Sequence, residues 1–185
     1  MKTQYDQSSR PTADLTSVLD LLRWRALHHP ERCAFIFSGD DGADAPLTYG
    51  ELDRRARSVA GLLQDRIQPG DRALLVYPPG LPFLTSFFGC LYAGVVAVPV
   101  YPPRPNRSML RLRAIVADCE PTAVLTTESL RGEAGRWSAP VPELAKPIWL
   151  ATDAGAEAGA DADRQADAWR DPGACLLYTS PSPRD

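Results

Sequence analysis

The feature that most constrains the fold of this chain is an alternation of short apolar runs with helical segments after residue 72. Continuous apolar runs are typical of strands buried on both faces of a parallel sheet. Such strands are predicted at 73–77, 95–101, 123–126 and 148–151, with helices at 81–93 and 107–118 between them. Because strand–helix alternation forms right-handed βαβ units, the predicted fold class is α/β, with a mostly parallel sheet and flanking helices.

The chain before residue 70 is predicted to contribute two helices and a pair of strands. The first helix spans 14–28 and ends at Pro30. This helix is predicted to be amphipathic, with one apolar face that packs against the core. The residues of that face are Leu15, Val18, Leu19, Leu22 and Leu27. A strand at 33–37 and a second strand ending near Thr48 are joined by a turn-rich segment.

The clearest local signal is the start of the second helix. Thr48 and Glu51 have the spacing of a capping box, in which each side chain binds the backbone N–H of the other residue. Leu47 and Leu52 have the spacing of a hydrophobic staple. The helix is predicted to run to about Ile67, and its buried face comprises Leu52, Ala56, Val59 and Leu63.

The two ends of the chain lack the pattern of a folded core. Residues 1–13 are predicted to be disordered, and they lack the apolar stretch of a signal peptide. Residues 153–174 are expected to form a linker or loop, because their first part is mostly Ala, Asp, Gly and Glu. Residues 175–185 match the translation, in one frame, of a transposon-type sequencing adapter. We therefore expect this segment to be an artefact, and the alternative is a genuine tail that ends in a proline-rich stretch.

Charge and cysteine content limit the classes of function. The net charge of −3 gives no electrostatic reason to expect nucleic acid as a partner. The four cysteines stand far apart, so they have no zinc-ligand spacing, and three of them are expected to be buried thiols. Free thiols indicate a reducing compartment, and a cytoplasmic location is expected.

A search for reaction chemistry assigns no catalytic residue and no metal site. His28 and His29 are interpreted as a helix terminus, and the aspartates between 40 and 44 as a turn. Neither glycine-rich nucleotide-binding pattern, G-x-G-x-x-G or G-x-x-x-x-G-K-[ST], is present. Ser86 lies in T-S-F-F, outside a nucleophile elbow.

The most unusual segment is Y-P-P-R-P at 101–105. Its prolines fix φ and remove backbone donors, so the chain is expected to leave the preceding strand in a stiff extended conformation. Ligands bind outside the carboxyl ends of strands in open α/β sheets. The segment is therefore either a ligand-site edge or only a stiff connector.

Several motifs taken together resemble the adenylate-forming superfamily, which contains acyl-CoA synthetases, peptide-synthetase adenylation domains and fatty acyl-AMP ligases. The resemblance covers about residues 14–150. It is carried by L-T-Y-G-E-L-D at 47–53, P-G-D-R at 69–72, F-F-G-C-L-Y-A-G at 87–94 and V-P-V at 98–100. Y-P-P-R-P at 101–105 is similar to the fatty acyl-AMP ligases in particular.

The resemblance implies that residues 14–152 form part of the AMP-binding N-terminal sub-domain of this fold. Tyr101, Pro102 and Pro103 would then form one edge of the acyl pocket. The family's phosphate loop should follow residue 173, and Tyr178, Thr179 and Ser180 copy its first letters as nucleotide-binding positions. Pro181 and Pro183 stand where the family has glycines.

The activity implied by the resemblance belongs to a longer parent enzyme. That enzyme would use ATP and Mg²⁺ to convert a fatty acid to acyl-AMP, and would pass the acyl group to the phosphopantetheine thiol of an acyl carrier protein. A phosphate cradle needs glycine freedom and free N–H groups, so this chain alone is expected to be inactive.

Two alternatives remain at this point. The parent protein could instead be an acyl-CoA synthetase or a peptide-synthetase adenylation domain, which share the adenylation step. It could also be a non-catalytic scaffold module. No transmembrane segment and no nucleic-acid partner are expected in any of these cases.

Overall fold

The computed structural model describes residues 15, 17–39, 44–103 and 109–153. The helices in this part are α1 (Val18–His28), α2 (Tyr49–Gln64), α3 (Leu81–Ala93), α4 (Leu110–Cys119), α5 (Glu128–Arg131), α6 (Ala134–Ser138) and a 3-10 helix (Pro142–Ala145). The strands are β1 (Cys33–Ser38), β2 (Asp44–Thr48), β3 (Arg72–Val76), β4 (Val96–Val100), β5 (Ala123–Thr126) and β6 (Ile148–Ala151). The predictions for 1–13, 40–43, 154–174 and 175–185 lie outside the described residues.

The main sheet has four parallel strands in the order β4-β3-β5-β6. This confirms the predicted α/β class. Leu74 in the central strand β3 is in register with Val98 of β4 and with Val124 of β5. Pro99 lies in β4, an edge strand of this sheet, where its missing N–H is tolerated. Strands β1 and β2 form a separate antiparallel ribbon.

Both faces of the sheet are covered, as the continuous apolar runs predict. On one face, Leu75 and Leu125 belong to a core shared with α1, α2 and α3. On the other face, Leu74 and Val124 pack in a core with residues of α4, α6 and the 3-10 helix. Helix α3 connects β3 to β4 on one face of the sheet, and helix α4 connects β4 to β5 on the other face. Because β4 and β5 lie on opposite sides of β3, the strand order reverses between β3 and β5.

Helix α1 has an N-terminal cap that the sequence analysis did not identify. Ser17 Oγ accepts from the backbone N–H of Asp20 at 3.1 Å, and Asp20 accepts from the N–H of Ser17 at 2.9 Å. The predicted apolar face is partly wrong. Leu19 and Leu22 are buried, but Val18 in the first turn of α1 is 46% exposed and Leu27 in its last turn is 77% exposed. Leu27 lines an open pocket.

Helix α2 begins where the capping box predicts it. Thr48 Oγ1 accepts from the N–H of Glu51 at 3.2 Å, but the Glu51 carboxylate pairs with Arg55 one turn later. The helix ends at Gln64, one turn before the predicted end at Ile67. All four predicted inward residues are buried: Leu52, Ala56, Val59 and Leu63.

Helix α3 has the predicted bounds. Pro82 occupies its first turn, where a missing N–H breaks no helical bond. Gly94 ends it with φ of 69°, in the left-handed region that favours glycine. The first turn of α3 thus tolerates a proline, whereas the end of the helix depends on a glycine.

From the sequence, the inward face of α4 is predicted to comprise Leu110, Ile115 and Val116, and this prediction is partly wrong. Leu110 is 74% exposed, although it was expected to face the core. The buried residues are Leu112, Val116 and Cys119, spaced as one face of a helix, and this spacing turns Leu110 away from the sheet. Ile115 is partly buried against the same core. The predicted helix at 107–118 begins at Leu110 in the described residues.

The segment between β5 and β6 carries structure that the sequence analysis did not predict. Helices α5, α6 and the 3-10 helix bring Trp137, Val141 and Leu144 into the core. The indole N–H of Trp149 in β6 donates to the carbonyl of Leu144 at 3.0 Å. The strand and the preceding short helices are therefore packed as one unit.

No helix in the described ranges is long and apolar enough to cross a lipid bilayer.

The three described cysteines differ in exposure, and this predicts their reactivity. Cys33 is exposed, whereas Cys90 and Cys119 are buried. Burial raises the pKa of Cys119 to about 11 and also raises the pKa of Cys90. In a Cys175→Ser variant at about pH 8, we expect one thiol to react rapidly with a disulfide reagent, because reaction requires an accessible thiolate.

Cys33→Ser should abolish this fast phase, and unfolding in denaturant should release two further thiols. Rapid reaction of two or more thiols in the folded protein would contradict the described burial.

Candidate functional site

The carboxyl ends of β3 and β4 form an edge that is rich in proline. Pro78 and Pro79 follow β3, and Pro102 and Pro103 follow β4. In an open α/β sheet, ligands bind beyond the carboxyl ends of the strands. The prolines supply apolar surface but no backbone N–H donors.

An apolar pocket of about 240 Å³ lies at this edge. We call it the apolar pocket. Its lining residues are Tyr77, Pro78, Pro79, Phe83, Pro99, Val100 and Tyr101. Tyr77 is only 4% exposed, whereas Tyr101 is 81% exposed. Tyr77 therefore forms the floor of the pocket and Tyr101 part of its rim.

The predicted site residues are only partly brought together. Tyr101 lines the apolar pocket, and its role at an edge of the acyl site stays a prediction. Pro102 and Pro103 are half-buried beside it and are not among its lining residues. Tyr178, Thr179 and Ser180 lie outside the described residues.

Behind the pocket floor, three buried hydroxyl groups contact one another. They belong to Tyr77, Ser86 and Thr152, and we call them the hydroxyl triad. The Ser86 hydroxyl donates to the Tyr77 oxygen at 2.8 Å, and the Thr152 hydroxyl lies 2.8 Å from Tyr77 and 2.9 Å from Ser86. The triad joins the ends of β3 and β6 to the middle of α3.

The hydrogen bonds of the triad have only one consistent direction. A hydroxyl carries one hydrogen, and that of Ser86 is donated to Tyr77. Thr152 must then donate to Ser86, and Tyr77 to Thr152, so each group donates once and accepts once. Burial raises the pKa of Tyr77 well above its usual range, which keeps the phenol protonated as a donor.

The triad predicts a measurable coupling. We expect Tyr77→Phe and Thr152→Val each to lower the free energy of unfolding by about 1 kcal/mol, because each leaves a buried partner unsatisfied. The double variant should lose less than the sum, with a coupling of about 1 kcal/mol. Urea unfolding measures all three values.

Tyr77→Phe combined with Ser138→Ala provides the matched control. Ser138 also makes a hydroxyl hydrogen bond, to the carbonyl of Ala134 at 2.9 Å, and it belongs to α6, on the opposite face of the sheet. These two changes should be additive, whereas additivity of Tyr77→Phe with Thr152→Val would exclude the hydroxyl triad.

Aromatic side chains extend from the pocket floor along α3. The ring centroids of Tyr77 and Phe83 are 6.5 Å apart, and those of Phe83 and Phe87 are 6.1 Å apart. These spacings are within the range of favourable aromatic contacts. The wall of the apolar pocket on the α3 side is therefore aromatic.

A second pocket, which is more polar, lies between α1, α2 and α3. Asp53 accepts from the Tyr92 hydroxyl and pairs with Arg57 at 2.6 Å. The guanidinium of Arg23 lies 5.1 Å from the centre of the Tyr92 ring, a cation–π distance. Burial is the main cause that raises the pKa of Tyr92. These contacts tie the three helices together.

His28 and His29, interpreted from the sequence as a helix terminus, lie at the C-terminal end of α1. His28 Nδ1 donates to the carbonyl oxygen of Trp24 at 2.9 Å, and the His28 ring stacks on the Trp24 ring at the end of α1. Within residues 15, 17–39, 44–103 and 109–153, no group of three or more His, Cys, Asp and Glu side chains is placed to hold a metal ion.

The fold and the site can now be compared with known proteins. The family model described as AMP-binding enzyme matches residues 22–182. The chain belongs to the AMP-binding enzyme family.

Two curated relatives of this AMP-binding chain are named as fatty-acid ligases. The medium-chain-fatty-acid–[acyl-carrier-protein] ligase JamA of Moorena producens is 36% identical over 175 residues, which cover 91% of this chain and 29% of JamA. The long-chain-fatty-acid–AMP ligase FadD32 of Mycolicibacterium smegmatis is 36% identical over 151 residues, covering 78% of this chain and 23% of FadD32.

A solved structure has the same fold. The fatty acyl-adenylate ligase from L. pneumophila, determined with acyl adenylate and pyrophosphate, has a TM-score of 0.72 and 31% identity. The match covers 85% of this chain and 26% of that structure. The chain thus spans about a quarter of the length of these relatives, and the predicted membership of the adenylate-forming fold is confirmed.

The hydroxyl triad was not found from the sequence. Ser86 was considered only as a nucleophile, yet a serine on a helix that is apolar nearly all round is itself a signal of a buried polar partner. Thr152 carried no comparable signal, because its contact with Tyr77 joins residues 75 positions apart.

Proposed function

We propose that this chain is the N-terminal part of a ligase that activates a fatty acid as its acyl-adenylate. In the reaction, the carboxylate of the acid attacks the α-phosphate of ATP, which forms acyl-AMP and releases pyrophosphate. The acyl group then passes to the phosphopantetheine thiol of an acyl carrier protein. The described residues supply the N-terminal sub-domain and one edge of the acyl site.

The observation that carries this proposal is the apolar pocket at the carboxyl edge of the sheet. The chain that forms this pocket is 36% identical to a fatty-acid ligase across 91% of the chain's own residues. Proline and aromatic side chains line the pocket, and they can exclude water from a hydrocarbon chain. Tyr101 is placed at the rim, where the acyl chain would enter.

The described residues do not fit the phosphates of ATP or a magnesium ion. The edge beside the pocket has prolines where a phosphate cradle needs N–H groups, and no cluster of metal-binding side chains is present in the described ranges. We therefore assign ATP and Mg²⁺, the cofactors of the proposed reaction, to the remainder of the protein. Residues 178–180 stay proposed nucleotide-binding positions, and they fall inside the family match.

The proposed reaction can be measured on the complete protein that contains this chain, for which we propose a cytoplasmic location. We expect exchange of labelled pyrophosphate into ATP that depends on added fatty acid. Acyl transfer should be observed with a phosphopantetheinylated carrier protein and be much slower with coenzyme A. The 185-residue chain alone should show no exchange above a boiled control.

Each alternative function gives a different result. Equal or faster transfer to coenzyme A would indicate an acyl-CoA synthetase. Exchange that depends on an amino acid would indicate a peptide-synthetase adenylation domain. The absence of exchange with any acid would favour a non-catalytic scaffold and contradict the proposal.

A further inference from the structure

The apolar pocket is closed at one end by a side chain that is held in place. Tyr77 is the least exposed residue of its lining, and the ring of Phe83 lies against it. The other lining residues are half-buried or exposed. A hydrocarbon chain that enters past Tyr101 would therefore meet the Tyr77 ring last.

The far end of the Tyr77 side chain is fixed by two other elements. Its hydroxyl is bound by Ser86 of α3 and by Thr152 after β6. Ser86 is completely buried, so its hydroxyl has no exchange with solvent. Rotation of Tyr77 out of the pocket floor would break two buried hydrogen bonds at once, and each of these is costly to leave unmade.

Space beyond the floor belongs to the protein core. Ser86 and Cys90 are fully buried, and the Ser86 hydroxyl lies 2.8 Å from the Tyr77 oxygen. Interiors are close-packed, so an acyl chain can go further only if the tyrosine ring moves or is removed.

We propose that Tyr77, held by Ser86 and Thr152, determines how long an acyl chain the pocket accepts. Tyr77 is the specificity-determining residue, and Ser86 and Thr152 are positioning residues that act through it. This inference rests on the proposed function, because it takes the occupant of the apolar pocket to be a fatty acyl chain.

The test measures binding to the 185-residue chain and needs no catalysis. Sodium octanoate and sodium dodecanoate are titrated below their micelle-forming concentrations, and the tyrosine ring signals are followed by NMR. Tyr77 and Tyr101 are assigned from their phenylalanine variants. We expect the terminal methyl group of octanoate to show nuclear Overhauser contacts to the Tyr77 ring.

The variants distinguish the effect of the Tyr77 ring from the effect of the hydrogen bonds that hold it. Tyr77→Ala should change the ratio of the two affinities by about fivefold in favour of dodecanoate, the order expected from burying one further methylene group. Tyr77→Phe and Ser86→Ala keep the ring but loosen it, and both should change the ratio in the same direction by about twofold. Tyr101→Ala, at the rim, should weaken both acids without changing their ratio.

The proposal is overturned if octanoate does not bind, if it binds without contacting Tyr77, or if the affinity ratio is the same in wild type and in Tyr77→Ala. Should Tyr77→Ala not fold, an unchanged ratio in both Tyr77→Phe and Ser86→Ala overturns it instead. If the binding results hold but the complete protein forms no acyl-adenylate, only the proposed function fails.

Discussion

Replacing Leu74 with alanine is expected to lower the free energy of unfolding by about 3 kcal/mol. Leu74 is completely buried in the central strand β3 and packs in the core on the α4 side of the sheet. Its neighbours Val98 and Val124 lie on strands that are hydrogen-bonded to β3 on both sides. Such a site cannot collapse easily to fill the cavity, which places the cost in the upper part of the usual range.

Leu110→Ala is the matched control. The same chemical change at a side chain that is 74% exposed should alter the free energy of unfolding by less than about 0.5 kcal/mol. Urea unfolding followed by the fluorescence of the buried Trp137 measures both variants. Similar losses for the two variants would mean that the inward face of α4 or the placement of β3 is wrong.

Gly89→Ala is expected to cost about 2 kcal/mol, although alanine favours helix formation more than glycine does. An added Cβ at Gly89 in α3 would lie 2.6 Å from both Cβ and Cγ1 of Val59, and 3.1 Å from the carbonyl oxygen of Ala56. These atoms belong to the backbone and the branched base of a side chain in α2, so they cannot move aside independently. Overpacking of this kind exceeds the gain of about 1 kcal/mol in helix propensity.

Gly135→Ala tests the same substitution without the close contact. Beyond its chain neighbours and its own helix backbone, no atom of the described residues lies within 4 Å of the Cβ that would be added at Gly135 in α6. The helix propensity should therefore dominate, and stability should rise by up to about 1 kcal/mol. Thermal unfolding of both variants gives the comparison. A Gly89→Ala protein at least as stable as wild type would show that α2 and α3 are further apart than described.

The parts of the fold that could be predicted are those that a short stretch of neighbouring residues specifies. The parallel strands show as apolar runs because both of their faces are covered, and α3 shows its bounds because Pro82 and Gly94 act within one turn of its ends. Leu27 and Leu110 were assigned to the wrong side because exposure depends on which neighbouring helix or sheet the residue meets. That information is not local.

The candidate site was predictable only in outline. The prolines near Tyr101 indicated the edge of the sheet at which the apolar pocket lies, since proline stiffens the chain wherever it stands. The floor of the apolar pocket could not be found, because Tyr77, Ser86 and Thr152 meet only after β6 is in place beside β5. Helices α5 and α6 were missed because such short helices carry too few residues for a clear periodicity.

The strand order β4-β3-β5-β6 has a consequence for the order of events during synthesis. When β4 has left the ribosome, β3 has a partner on one side only, and its other partner, β5, begins at Ala123. Until then the nascent chain presents an apolar strand with one open edge, which is the kind of surface that aggregates or recruits chaperones. Translation speed between residues 100 and 126 should therefore affect the yield of folded protein more than translation speed in the first fifty residues, because the antiparallel β1–β2 ribbon pairs with its own neighbour in the chain.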